Sequence, residues 1–389
     1  MRNFLFYKLL NGKKLLFLSI LFTFSVISYY NIRMGPVGIT SNDTVYYIRW
    51  ADNLIDLKFN LLNFYIQNPF MDSTYFYTIP VLFMALAKFF FGGEWHNIFL
   101  LFNLSLVFFS IILFSKSLLI LGIRPLIIAL CIPLLIISPD WMTWPGWILT
   151  DTIYAFLIML VTFIIIKGIS ENKFRLITII LIMTLIILTR PTFFPVIFSI
   201  IFYMIIFDYN FYNRPKLLLP FLLLFFLIVP IFDATLHYLI KIYYSANSSL
   251  NIILDWVDQG IVIWDRDETH IDPPANFIDY IYLYFLRLLN FFNPYANTFS
   301  KFHVIVNYFQ FFYITMSVMI WSFLGGNNRL FDKTVTFILL LSLSVSAFHS
   351  FLLLDWDWRY RFPIIMPLMM ILPISIEIIL KKFKSNINL

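Results

Sequence analysis

"KKLLFLSILFTFSVISYYNIRMGPVGITSNDTVYYIRWADNL", residues 13–54, decides the fold class. It opens on Lys13 and Lys14, continues as an apolar run long enough to cross a bilayer, and then turns polar within a few positions. In lipid such a run is expected to be helical, because a helix satisfies its own backbone groups. Its length, and the lack of an Ala-x-Ala site, argue for a retained span over a cleaved signal peptide. Beyond it stands Asp43, and then Val45, Ile48, Ala51, Leu54 and Ile55 recur at helical spacing. The spacing predicts an amphipathic helix lying on the membrane surface, with Asn42 or Asp43 at its N-cap.

The rest of the chain repeats the first half of this pattern. Of its 389 residues 61% are hydrophobic and 12% charged, and the mean hydropathy is +0.86. That composition excludes a soluble globular domain. The apolar runs do not alternate, which excludes the short dyad-repeat segments of a membrane β-barrel. The expectation is an all-α polytopic membrane protein of ten spans, at roughly 14–33, 80–114, 125–138, 151–167, 175–189, 191–207, 217–232, 303–323, 334–354 and 362–380. The 80–114 stretch is too long for one span and reads as an interfacial helix at about 80–91 followed by a span at about 95–114. Aromatic residues, 20% of the chain, suit a large lipid-facing surface and interfacial belts. The one cysteine, Cys131, leaves no disulfide framework. A net charge of +6 raises nucleic acid as a partner, but the bases are scattered over many loops, so none is expected.

Lys and Arg set the orientation. With the N-terminus inside, Arg2, Lys8, Lys13, Lys14, Lys116, Arg124, Lys167, Lys173, Arg175, Arg214, Lys216, Arg329, Lys333, Lys381, Lys382 and Lys384 fall on the cytoplasmic face, in short loops, and most acids fall outside. Both termini are then cytoplasmic. Two external segments are long, about 34–79 and about 233–302. A single membrane domain over 1–389, with its working face outside, is the simplest architecture. The abundance of Asn, Lys, Ile and Phe suggests a bacterium, hence a plasma (inner) membrane.

Four places at the expected outer face carry chemistry-bearing residues. Asp43 is an N-cap or a carboxylate poised for proton transfer. Asp151, in "WPGWILTDTIYAFLIML", begins a span; it is a dipole partner of that helix or an acid held near a reacting centre. Arg190, in "TRPTFFP", is a lipid-snorkelling arginine or a phosphate ligand. "DWDWRYRFP" sets Arg359, Tyr360 and Arg361 on the side of the membrane where bases are unusual; it reads as a phosphate site or an interfacial anchor. Asp265 and Asp267, with Glu268 and His270, invite a metal reading, but Asp-x-Asp is common in polar loops and the five histidines are too scattered for a ligand set, so no metal and no cofactor is expected.

These elements together resemble the C-type superfamily of integral-membrane glycosyltransferases, which includes protein O-mannosyltransferases and the lipid A aminoarabinose transferase. The resemblance runs from about residue 15 to 380. It rests on an acid after the first span with Asp-x-x-x-Tyr-x-x-x-Ala-x-x-Leu (Asp43, Tyr47, Ala51, Leu54), on "YTIPVLFMALAKFFFG" at 77–92, on "LTDTIY" with Asp151, on "LTRPT" with Arg190, and on "RYRFPIIMP" with Arg359, Tyr360, Pro363 and Pro367. A Lys-Pro-Pro element, whose lysine approaches the lipid phosphate in many members, is replaced here by "MDSTYFY", which leaves Lys88, Arg190, Arg359 or Arg361 for that contact.

The resemblance implies a sugar donor on a polyprenyl phosphate and transfer on the extracytoplasmic side to a surface glycan, lipid or protein. Asp43 would take the proton of the attacking hydroxyl, with Asp151 in support. Arg190, Arg359, Tyr360, Arg361, Tyr47 and Lys88 would bind substrate, the arginines stabilising charge on the leaving phosphate. Two rivals remain at this level. A polymerase of lipid-linked polysaccharide repeats would also use external arginines and a long external loop. A lipid-linked sugar flippase would place charges along the mid-membrane path, where these spans hold almost none.

Overall fold

The computed structural model describes residues 12–35, 38–67, 74–208, 277–295, 299–325, 328–351 and 357–387. Among them the chain is helical, with no strand beyond one isolated parallel bridge between Ile39 and Trp147. The helices are α1 (Gly12–Met34), α2 (Asn42–Asp56), α3 (Leu61–Gln67), α4 (Thr78–Phe91), α5 (Trp95–Ile120), α6 (Pro125–Cys131), α7 (Pro139–Thr143), α8 (Asp151–Glu171), α9 (Leu176–Ile187), α10 (Phe194–Asp208), α11 (Phe277–Phe291), α12 (Lys301–Leu324), α13 (Arg329–Phe351), α14 (Asp357–Met369) and α15 (Ile371–Ile387).

Among the described residues six helical stretches are long and apolar enough to cross a membrane: Gly12–Met34, Thr78–Ile120, Asp151–Glu171, Lys301–Leu324, Arg329–Ser350 and Arg359–Phe383. Several apolar helices of this kind make a multi-pass membrane protein. The expected count of ten is not reached among the described residues, for identifiable reasons. The run expected as a span at 125–138 is α-helical only over Pro125–Cys131 and continues as a 3-10 helix to Ile137; it meets Pro139–Gly146 at 69°, and the two count as a seventh crossing only if taken together. Pro133, Pro139 and Pro145 remove backbone donors along this stretch, and the helix yields to short 3-10 turns. The runs at 175–189 and 191–207 form helices of 12 and 15 residues, short of the roughly 20 that an upright crossing needs. The span expected at 217–232 lies outside the described residues.

The 80–114 stretch does divide as its length requires. α4 ends at Gly92, whose φ of +54° suits a residue without a Cβ, and a 3-10 turn at Gly92–Glu94 leads into α5. The whole path is 43 residues, about 65 Å at 1.5 Å per residue and twice the hydrocarbon thickness. α4 instead packs on α2, and α5 on α8.

The described helices belong to two compact units. The first comprises Met1–Phe194, Phe309–Ile338 and Phe362–Leu389. Its helices bury small polar residues among apolar ones, and expose apolar side chains where lipid would lie. On α1 the inward stripe is Leu16, Ser19, Thr23, Ile27 and Asn31, while Phe17, Leu18 and Phe22 are exposed. Ser19 Oγ donates to the Ala129 carbonyl of α6 at 2.7 Å, joining the two helices. Ser110 on α5 and Thr162 on α8 are buried and return their hydroxyls to carbonyls one turn back, at 2.8 Å each. At another level of this unit Arg124 Nε donates to Glu377 at 3.0 Å.

The second unit comprises Pro195–Tyr308 and Leu339–Arg361. α11 buries Tyr284, Arg287 and Phe291 and exposes Ile278, Tyr282, Phe285 and Leu289 on the opposite face. His349 stacks on Tyr360 at 4.2 Å and lies near-parallel to Phe291 at 5.9 Å. Arg361 is fully buried; it donates to the Asn293 carbonyl at 3.0 Å and to Asn307 Oδ1 at 3.2 Å.

Candidate active site

One end of the first unit gathers the starts of α2, α4 and α8 and the finish of α9. The turn after α1 sets this up. Gly38 sits at φ +81° and returns its N–H to the Gly35 carbonyl at 2.8 Å. Ile39 then pairs with the segment before α8: its N–H donates to the Gly146 carbonyl and its carbonyl accepts from the Ile148 N–H, both at 2.8 Å. The approach requires glycine at 146, because a Cβ there would stand 2.6 Å from Asn31 Oδ1. Asn103 on α5 fixes the same segment by donating to the Trp147 carbonyl at 3.0 Å and the Pro145 carbonyl at 3.3 Å.

α2 follows directly. Its N-cap is Ser41, in place of the expected Asn42 or Asp43. Ser41 and Thr44 form a reciprocal capping box: the Thr44 N–H donates to Ser41 Oγ at 3.4 Å, and the Ser41 N–H to Thr44 Oγ1 at 2.9 Å. Asp43 is therefore the second residue of the helix, half-buried, near the positive end of the helix dipole. Thr44 is buried, and its hydroxyl donates to the Ile148 carbonyl at 2.8 Å. The other members of the sequence motif serve packing. Tyr47, Ala51 and Leu54 form the buried face of α2, and Tyr47 lies in an aromatic cluster with Trp50 and Tyr77, at 5.9 and 5.2 Å. Exposed Val45, Tyr46 and Arg49 occupy the outward face.

Asp151 is the first residue of α8 and is wholly buried. Arg190, 4% exposed, forms an ion pair with it. Pro191 explains where Arg190 stands: a residue before proline is pushed from helical to extended backbone, and Arg190 has φ −160° and ψ 140° just after α9 ends. The guanidinium also lies 5.9 Å from the ring centre of Tyr154, one turn along α8 from Asp151. The Tyr154 hydroxyl donates to the Thr192 carbonyl at 2.6 Å, pinning the loop that carries Arg190. The Ile79 N–H at the start of α4 donates to the Leu188 carbonyl at 3.0 Å. A buried charge is tolerable only with its counter-charge beside it, and Asp151 and Arg190 meet that condition.

Other residues named from sequence have settings of their own. Lys88, on α4, pairs with Asp52 of α2 and lies 5.6 Å from the Trp95 ring centre. Arg359 and Tyr360 are half-buried and Arg361 is buried in the second unit. Asp265, Asp267, Glu268 and His270 lie outside the described residues. Sequence reasoning missed Ser41, Thr44 and Tyr154. Tyr154 carried a signal, three residues after Asp151 and so on its helical face. The partners of Thr44 and Arg190 are distant in sequence and carried none.

Fold and site thus define an all-helical, multi-pass membrane protein with a polar, charge-bearing end. The chain matches no protein-family model, no curated protein and no solved structure.

Proposed function

We propose that this chain is a membrane glycosyltransferase that moves one sugar from a polyprenyl phosphate to a surface glycan, lipid or protein on the extracytoplasmic side. The observation that supports it is the gathering of Asp43, Asp151 and Arg190 at one end of one unit, tied by the Ile39–Trp147 bridge and the Asp151–Arg190 pair. The acceptor hydroxyl oxygen attacks the anomeric carbon, and the bond from that carbon to the phosphate oxygen breaks, inverting the centre. Asp43 takes the hydroxyl proton. The polyprenyl phosphate leaves with the bonding electron pair, and arginine charge opposes what develops on it. Arg190 supplies that charge, held in place by Asp151. Lys88, beside Asp52 on the partly solvated side of α4, completes the substrate contacts. The ten-crossing layout with both termini cytoplasmic, in a bacterial plasma membrane, belongs to the same proposal.

The test is Asp43→Asn, assayed in membranes against a panel of radiolabelled polyprenyl-phosphate sugars at matched expression. Loss of a general base costs about 10²- to 10⁴-fold in turnover. Turnover at the wild-type rate removes Asp43 from the mechanism, and a ladder of products would reassign the chain as a polymerase.

A further inference from the structure

Thr44 has all of its hydroxyl's hydrogen-bonding capacity engaged. The oxygen accepts from the Ser41 N–H at 2.9 Å and stands 3.2 Å from Ser41 Oγ; its proton goes to the Ile148 carbonyl at 2.8 Å. The first two contacts close the cap of α2 one residue from Asp43. The third crosses 104 residues of sequence to the segment that enters α8 three residues before Asp151. The side chain is fully buried. The surrounding backbone leaves little slack: Ile39 is bridged to Gly146 and Ile148, and a Cβ at Gly38 would meet Ile148 Cγ1 at 2.8 Å.

We propose that Thr44 is a positioning residue: its hydroxyl holds the Asp43 end of α2 in register with the Asp151–Arg190 pair. The inference rests on the proposed glycosyl transfer, because it assigns the two acids to one reaction. Valine at this position keeps the shape and removes the hydroxyl. It leaves the Ser41 N–H and the buried Ile148 carbonyl without that partner, and α2 then keeps the Ile39 bridge but loses the side-chain tie to the segment before α8. Displacement of a reacting group by about 1 Å costs on the order of 10² in rate.

The experiment compares wild type, Thr44→Val and Thr44→Ser as full chains in proteoliposomes, with the same donor panel and with backbone hydrogen exchange at Ile39 and Ile148. Thr44→Val should lower kcat about 100-fold, leave the donor KM within about twofold, and speed exchange at both amides. Thr44→Ser should restore both readouts, since it keeps the hydroxyl and loses only the methyl. Wild-type kcat in a folded Thr44→Val, or a serine variant as impaired as the valine, overturns the assignment. If wild type transfers no sugar, the proposed function fails on that result alone; unchanged exchange at Ile39 and Ile148 in Thr44→Val still overturns the clamp.

Discussion

Arg190 reaches back 39 positions in sequence to pair with Asp151 at the first residue of α8, and both side chains are buried. The pair joins the end of one apolar helix to the start of another where little water is present to solvate either charge. Its two halves are therefore not equivalent to two independent surface residues.

Removing one partner should be far worse than removing both. Asp151→Asn or Arg190→Gln leaves a buried charge uncompensated, which costs about 3–5 kcal/mol. The double variant should recover much of that loss. Thermal denaturation of the four proteins in one detergent checks this as a double-mutant cycle. Additive losses would show that the pair is not coupled.

Some of this site was legible in the sequence and some was not, and range separates the two. Arg190 stands outside a helix because Pro191 follows it, a local effect. The end of α4 at Gly92 is likewise local. The stretch at 125–146 carries its prolines in plain view, and the 69° bend falls where the expected span at 125–138 ends. The cap of α2 went to Ser41 because Thr44, three residues on, closes the box with it; Asn42 and Asp43 are comparable cap formers, and local rules do not choose among the three. The Thr44–Ile148 and Asp151–Arg190 contacts depend on tertiary placement, which one chain's residue pattern does not encode in readable form.

Arg361 makes a second contrast. Its sequence setting suits a phosphate ligand or an interfacial anchor, yet its side chain is wholly buried on the Asn293 carbonyl and Asn307 Oδ1. Arg361→Lys keeps the charge and loses the planar fork that meets both acceptors. The expected result is a loss of about 1–3 kcal/mol in thermal stability, from acceptors left without a donor. Asn307→Leu should lower stability similarly, since Asn307 also donates to the Pro294 carbonyl at 3.2 Å. A shift in donor KM at unchanged melting would assign Arg361 to substrate and not to the fold.

Lys88 should behave in the opposite way. Its pair with Asp52 is partly solvated, the two side chains being 18% and 51% exposed. Exposed pairs contribute about 0–1 kcal/mol, so Lys88→Gln and Asp52→Asn should both melt near wild type. If Lys88 serves the donor phosphate, Lys88→Gln raises the donor KM about tenfold, equivalent to about 1.4 kcal/mol. Asp52→Asn, which removes a competing anion, should leave KM equal or lower. Equal donor KM in wild type and Lys88→Gln would reduce Lys88 to a tie between α2 and α4.

The orientation implied by Lys and Arg is open to direct measurement, because Cys131 is the chain's one cysteine and is buried. In a Cys131→Ala background, single cysteines at Tyr46 and Lys116 test opposite faces; both positions are exposed, one on α2 and the other near the end of α5. A membrane-impermeant maleimide added to intact cells should label Tyr46→Cys and spare Lys116→Cys until the membrane is opened. The reasoning is electrostatic: short connections rich in Lys and Arg are retained on the cytoplasmic side, and Lys116 and Arg124 flank one such connection while Lys167, Lys173 and Arg175 flank another. The reverse labelling pattern would put Asp43 and Asp151 on the cytoplasmic face. The donor would then have to be drawn from the inner leaflet, and the extracytoplasmic reaction would lose its location.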